Sequence, residues 1–472
     1  MTSELTIFCK PGPAWPTSFD PSALKTYCPS FKTVQPLPRP ASLRMLLLAQ
    51  DMGYGTVVGW LFGGPTPMPL ASFQEWMNLA SFLWHRSLIT NTLFKPGTTQ
   101  LAVFAHSLEM NDRTAATYFL GMIYARYGLQ QALKEYAFGG TAPGKVTVKH
   151  ILHFKTLERS SLMIQPQPAV TAFANALNPD FLVQLSTGQW MILEAKGSIA
   201  PRSTTPLREG SNQVHKYNDV TLVHTGSGSS TSATISYRAV SYCYADGAGE
   251  LQAEFIDPEN EADPMDLIKQ GAAVLTLFMP AVDCQRLLKA GASFEALCGG
   301  APLQEVDDAI WCAVDDGSAL GIPKVLFERR YALATAMSIF DAVLSPSCYS
   351  ETRYTDEYQD IEMLFNDSAG YNLRDTALEL ADRWPADLEH WNDLSSLAES
   401  LLDEKFFCDR WVKLSELSTL LGPLIEFVSA VREPTEAVQD KYSDGITLNA
   451  VRHRITSFSN GLLLAERGDD GD

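Results

Sequence analysis

Long apolar runs are missing from this sequence. No uninterrupted stretch is long enough to span a bilayer, so no membrane contact is expected. The opening residues, MTSELTIFCKPGPAW, carry no basic segment followed by an apolar one, and no secretory signal is expected from them. Paired cysteines are missing too. The 8 cysteines are scattered without a CxxC pair, which argues for reduced thiols in a cytoplasm and against a zinc module. Charge is modest at 19% against 46% hydrophobic residues, a balance that excludes a disordered chain and fits a globular one. At 472 residues the chain can bury a large core and divide into two or three domains.

Basic side chains are also in short supply. There are 36 Lys+Arg against 55 Asp+Glu, a net charge of −19. Taken whole, that charge disfavours a partner rich in phosphate. Its distribution changes the reading. Residues 1–258 hold 19 basic and 16 acidic residues, a net of +3, which leaves 17 and 39, a net of −22, for residues 259–472. The acidity therefore belongs to the second half, and the first half is not repelled from a phosphate backbone.

Against this background one stretch stands out: Asn178 to Lys196, NPDFLVQLSTGQWMILEAK. Phe181 to Leu185 and Trp190 to Lys196 read as two strands. Ser186 to Gln189 reads as the turn between them, with Gly188 free to take positive φ. Three charged groups interrupt the apolar pattern: Asp180 at the mouth of the first strand, and Glu194 and Lys196 near the end of the second. Residues i and i+2 of a strand share a face, so Glu194 and Lys196 are neighbours. A buried strand rarely holds an acid and an amine side by side unless they pair or do chemistry. The turn decides where Asp180 points. A two-residue loop at Thr187 and Gly188 sets it opposite Ala195, on the other face; a three-residue loop with a bulge at the glycine sets it opposite Lys196, on the shared face. Two carboxylates converging beside a lysine make a divalent-cation site with a charged helper.

Pro179-Asp180 followed by Glu194-Ala195-Lys196 resembles the PD-(D/E)XK signature of the restriction-endonuclease-like nuclease superfamily. Ser211 to Tyr217, SNQVHKY, resembles the helix that carries a Gln or Lys in that superfamily. The resemblance covers roughly residues 109–258. It implies an α/β (α+β) core with a mixed sheet flanked by helices. It also implies a metal-dependent hydrolase of phosphodiester bonds in nucleic acid, with DNA the preferred substrate. In that reading Asp180 and Glu194 hold Mg2+ (or Mn2+), and the Ala195 carbonyl is a further ligand. Lys196 activates or positions water, and Gln213 orients the site or a phosphate. The first helix of the core often adds an acid; Glu109, Glu135 and Glu158 are candidates here. Bacterial phage defence is a common setting for the superfamily. A different reading stays open, a retired nuclease fold that binds or assembles through an acidic helical second half, with a homo-oligomer or another protein as partner.

Three parts follow from the chain in order: a Pro-rich N-terminal extension and helical region over 1–108, the nuclease-like core over 109–258, and an acidic, mainly helical part over 259–472. Residues 1–41 read as extended, irregular chain. Helices are expected at Ser72 to Phe94 and Asn111 to Ala137. In the second of these Gly121, costing about 1 kcal/mol against alanine, marks a close approach. Val146 to Phe154 reads as a strand or short helix, with His150 and His153 a hydrogen-bonded or surface pair in preference to metal ligands. Ile199 to Gly210 reads as a polar loop. Ser232 to Tyr244 and Leu251 to Ile256 read as strands. Pro258 to Pro264 is the expected linker. Beyond it, helices are expected at Met265 to Ala290, Arg329 to Leu344, Ile361 to Phe365, Leu373 to Trp384, Leu388 to Phe407 and Val412 to Val431. A small hairpin is expected at Ile310 to Val314 with Lys324 to Phe327. Gly53, Gly55 and Gly59 read as a packed turn, not a nucleotide loop.

Overall fold

The computed structural model describes residues 3–9, 32–40, 42–50, 73–138, 141–154, 162–167, 179–215, 219–224, 230–257, 272–315, 317–344, 349–354, 360–365, 412–413, 422–442, 445–448, 451–458 and 460–467. The expected glycine turn at Gly53 to Gly59, the linker after Pro258, and the helices at Leu373 to Trp384 and Leu388 to Phe407 lie outside these residues.

The N-terminal half is built on one mixed sheet. Its strands are β1 (Glu4–Cys9), β2 (Lys32–Pro36), β3 (Val148–His153), β4 (Leu162–Gln167), β5 (Phe181–Leu185), β6 (Trp190–Gly197), β7 (Asp219–His224), β8 (Ser230–Ala245) and β9 (Leu251–Asp257). The strand order is β2-β1-β9-β8-β6-β5-β3, with β7 joining β4 to the start of β8. β6 runs parallel to β8, and β1 parallel to β9; the other pairs are antiparallel. A parallel neighbour needs a crossover, and residues 198–229 between β6 and β8 supply it with a helix.

Among the described residues, the α-helices α1 (Leu43–Gln50), α2 (Phe73–Asn91) and α3 (Met110–Glu135) precede that crossover; the crossover itself carries α4 (Thr204–His215). Alternation sorts the strand residues. Phe181, Val183, Leu185, Met191, Leu193 and Ala195 enter the main hydrophobic core together with Phe119, Met122 and Ile123 of α3. The intervening positions, Glu194 and Lys196 among them, turn to the face covered by α4. The close approach expected at Gly121 is present: a Cβ there would lie 2.8 Å from the Lys196 carbonyl carbon and the Gly197 nitrogen.

The structure corrects several expectations. Residues 1–41 are not irregular throughout, because β1 and β2 enter the sheet with Leu5 and Ile7 fully buried. The many prolines nearby mask this short alternation. The polar loop at Ile199 to Gly210 is helical from Thr204. Pro206 lies in the first turn, where a missing N–H costs nothing, and the Ser203 hydroxyl accepts from the Thr205 N–H at 3.3 Å.

Among the described residues of the second half, helices α5 (Ala272–Cys298), α6 (Lys324–Leu344) and α7 (Gly422–Lys441) accompany a six-stranded antiparallel sheet. That sheet is ordered β10 (Leu303–Val306), β11 (Ala309–Asp315), β12 (Ser318–Pro323), β18 (Leu463–Arg467), β17 (Val451–Ser457) and β16 (Ile446–Leu448). The hairpin partner of β11 is Ser318–Pro323, and Lys324 instead opens α6. Ile361 to Phe365 lies in a strand, β14 (Asp360–Phe365), between β13 (Tyr349–Tyr354) and β15 (Val412–Lys413). A short apolar run does not distinguish strand from helix by its period, so sequence alone gives these segments the wrong element.

Candidate active site

The hairpin β5–β6 takes a register different from both expected ones. Leu185 N–H donates to Gln189 O at 2.9 Å, and Gly188 N–H donates to Leu185 O at 2.9 Å. The loop is thus Ser186 to Gly188, with Gly188 at φ 85°, a conformation that favours glycine. Ladder pairs run Gln184↔Trp190, Val183↔Met191, Leu182↔Ile192 and Phe181↔Leu193. The next step puts Asp180 opposite Glu194, not Ala195 or Lys196. The three-residue loop and the shared face hold. The expected partner does not, because the loop begins one residue earlier, at Ser186 in place of Thr187.

Hydrogen bonds lock this pairing from both sides. The Asp180 N–H donates to Glu194 Oε2 at 3.0 Å, and the Ala195 N–H donates to Asp180 Oδ2 at 3.0 Å. Lys196 Nζ lies 2.6 Å from Glu194 Oε1 and donates to Gln213 Oε1 at 2.7 Å. Asp180, Glu194, Lys196 and Gln213 therefore meet at one place. Ala195 is there through its backbone, while its side chain enters the main core. α4 delivers Gln213, and Gly210 of that helix sits where a Cβ would meet Val240 Cγ1 at 2.8 Å and Glu194 Cγ at 3.3 Å. The lysine side chain is 20% exposed and the glutamate 3%, so solvent reaches the amine first.

Burial dominates the electrostatics. Desolvation, and then the nearby Asp180 carboxylate, push the Glu194 carboxyl up to about 8 from its ordinary 4.5; Lys196 and the Asp180 N–H pull the other way. Two buried acids lie beside one amine, an arrangement that a dication would relieve. The donor chemistry fits a small hard cation, because Mg2+ is held by one or two carboxylates with waters and substrate oxygens completing its shell. Among the described residues no group of three His, Cys, Asp or Glu side chains forms a fuller cage.

The first helix contributes no acid at this place through the contacts described. Glu109 is exposed just before α3, Glu135 accepts from Gln35 at 2.9 Å at the helix's far end, and Glu158 lies outside the described residues. What α3 does bring is Tyr118, whose hydroxyl donates to Asp180 Oδ1 at 3.2 Å and lies 3.1 Å from His153 Nε2. Sequence reasoning missed the role of both residues. Tyr118 stands 62 positions before Asp180, and no local spacing signals a contact across that separation. Burial keeps His150 neutral and lowers its ring to about 3, while His153 faces Tyr118. Arg202, in the segment expected to be a polar loop, holds Glu254 through two bonds of 2.7 and 3.0 Å.

No family model, curated protein or solved structure matches this chain. Among the described residues no helix is long and apolar enough to cross a membrane.

Proposed function

We propose that this site is a metal-dependent nuclease centre in a restriction-endonuclease-like core, hydrolysing phosphodiester bonds of nucleic acid, with DNA the preferred substrate. One observation carries the reading: Asp180 and Glu194 are paired across a hairpin, and Lys196 shares their face and touches Glu194 at 2.6 Å. The element order supports it: helix α3, strands β3, β5 and β6, helix α4, then strand β8, with β4 and β7 inserted as a pair off the main strand path. In this reading Asp180 and Glu194, with the Ala195 carbonyl, hold Mg2+ or Mn2+. The cation supplies Lewis acidity and lowers the pKa of bound water. Lys196 orients the attacking water and offsets charge that builds on the phosphate. Gln213 holds the lysine amine in place through its 2.7 Å bond.

A second reading, a retired nuclease fold used for binding, is favoured by a specific observation. The Asp180 and Glu194 carboxylates are already engaged by the donors Tyr118, Ala195, Asp180 N–H and Lys196. Labelled single- and double-stranded DNA and RNA, incubated with the protein in Mg2+, Mn2+ or EDTA, separate the two. Cleavage in either metal that EDTA abolishes is the expected result. Intact substrates in every metal condition, with retained binding, leave only the second reading.

A further inference from the structure

We propose that Tyr118 and His153 are positioning residues for Asp180, forming a hydrogen-bonded chain that sets the carboxylate for a divalent cation; this rests on the nuclease reading above. The backbone of Asp180 is held by two neighbouring strands. Its N–H donates to Glu194 Oε2 at 3.0 Å, and its carbonyl accepts from Phe154 N–H at 2.9 Å. The carboxylate itself takes the Ala195 N–H on Oδ2 and the Tyr118 hydroxyl on Oδ1. Of these four contacts only the last comes from a side chain outside the acid pair.

The tyrosine is placed by rigid parts. Thr117 and Gly121 flank it on α3 and press directly on Lys196 and Gly197, so the height of the helix over the strand end is fixed. His153 is the last residue of β3, paired with Phe181 and 4% exposed. Its ring stands edge-on to Phe181, with centroids 5.5 Å apart. Tyrosine has one hydroxyl proton. Donating it to Asp180 leaves the phenolic oxygen to accept, so the 3.1 Å contact needs the imidazole proton on Nε2. The chain then runs from His153 Nε2–H to the Tyr118 oxygen, and from the Tyr118 hydroxyl to Asp180 Oδ1. Hydrogen bonds of this kind behind a ligand orient it, and their loss usually costs a metal site about 10–100-fold in affinity.

Mn2+ binding to the full-length protein, read by the electron paramagnetic resonance signal of free Mn2+, tests this without any turnover. Tyr118→Phe keeps the ring and removes the hydroxyl; it is expected to weaken Mn2+ about 10-fold or more while the metal-free melting temperature moves little. His153→Gln keeps an N–H donor and is expected to retain most of the affinity, whereas His153→Leu is expected to match Tyr118→Phe. This pair also decides the matter if Tyr118→Phe does not fold. Wild-type affinity in both Tyr118→Phe and His153→Leu, with Asp180→Asn still losing Mn2+, overturns the positioning role and leaves the metal site standing. If the wild type itself binds no Mn2+, or Asp180→Asn binds as well as the wild type, the nuclease reading falls and this inference with it.

Discussion

Glu194 is held between an acid and an amine, and its protonation is where the site's energetics can be read. Burial and Asp180 raise its pKa from 4.5 to about 8, against the pull of Lys196. Across that window the folded protein keeps a proton that the unfolded chain releases. The stabilising contribution is therefore complete below pH 4.5 and is lost as pH rises through about 8. Glu194→Gln removes this dependence. Without divalent cations, its melting temperature relative to wild type is expected to climb steadily from about pH 5 to about pH 8; a flat difference contradicts the assignment. On the proposed nuclease reading, a cation held by Glu194 would displace the same proton. Calorimetry with Mn2+ in buffers of different ionisation enthalpy is expected to show proton release at about pH 7, below the residue's pKa of about 8, and none in Glu194→Gln.

At the scale of elements, three glycines set how closely helices approach β6: Gly121, Gly197 and Gly210. A Cβ at Gly197 would fall on the backbone of Thr117, and one at Gly210 would meet Val240 and Glu194. Gly197→Ala is expected to lower stability by about 1–3 kcal/mol in urea unfolding, since the obstacle is backbone. Gly210→Ala, meeting movable side chains, is expected to cost less but to shift Gln213 and slow turnover. Equal stability of Gly197→Ala and wild type contradicts the close packing. The hairpin was legible because apolar runs flank a glycine turn, and the charged positions stood out against them. Its register was not legible: Ser186, Thr187 and Gly188 are all acceptable turn residues, and a shift of one changes the partner of Asp180. Tyr118 was illegible for another reason. Its contact is made by α3 crossing the sheet, and helical period says only that Phe119, Met122 and Ile123 face a core. The second half misled where a short apolar run such as Ile361 to Phe365, expected as a helix and found in a strand, satisfies either period over so short a length.

For the whole molecule, the two halves share one apolar core. Leu5, Phe119 and Leu193 belong to the same buried cluster as Leu287, Phe340, Leu424 and Leu464. Lys289 lies over the Trp76 ring at 5.9 Å, and Arg44 pairs with Glu466 at 2.6 Å. Residues 1–258 alone are therefore expected to lose cooperative unfolding, as judged by thermal melts followed in the near and far ultraviolet. A sharp wild-type-like melt of that fragment contradicts the shared core. The net of −22 in residues 259–472 is then carried by a part that shares its core with residues 1–258. Charge of that sign does not suit a phosphate-binding role; on the proposed nuclease reading, nucleic acid would approach through the half with net +3.

Cleavage of supercoiled plasmid in Mg2+ or Mn2+, with Lys196→Ala beside the wild type, bears most directly on the chemistry assigned to Asp180, Glu194 and Lys196. The wild type is expected to nick or linearise the plasmid. Lys196→Ala, folded and still binding Mn2+, is expected to be slower by about 100-fold or more, the scale of losing one charge-stabilising donor. Cleavage by Lys196→Ala at the wild-type rate contradicts the account.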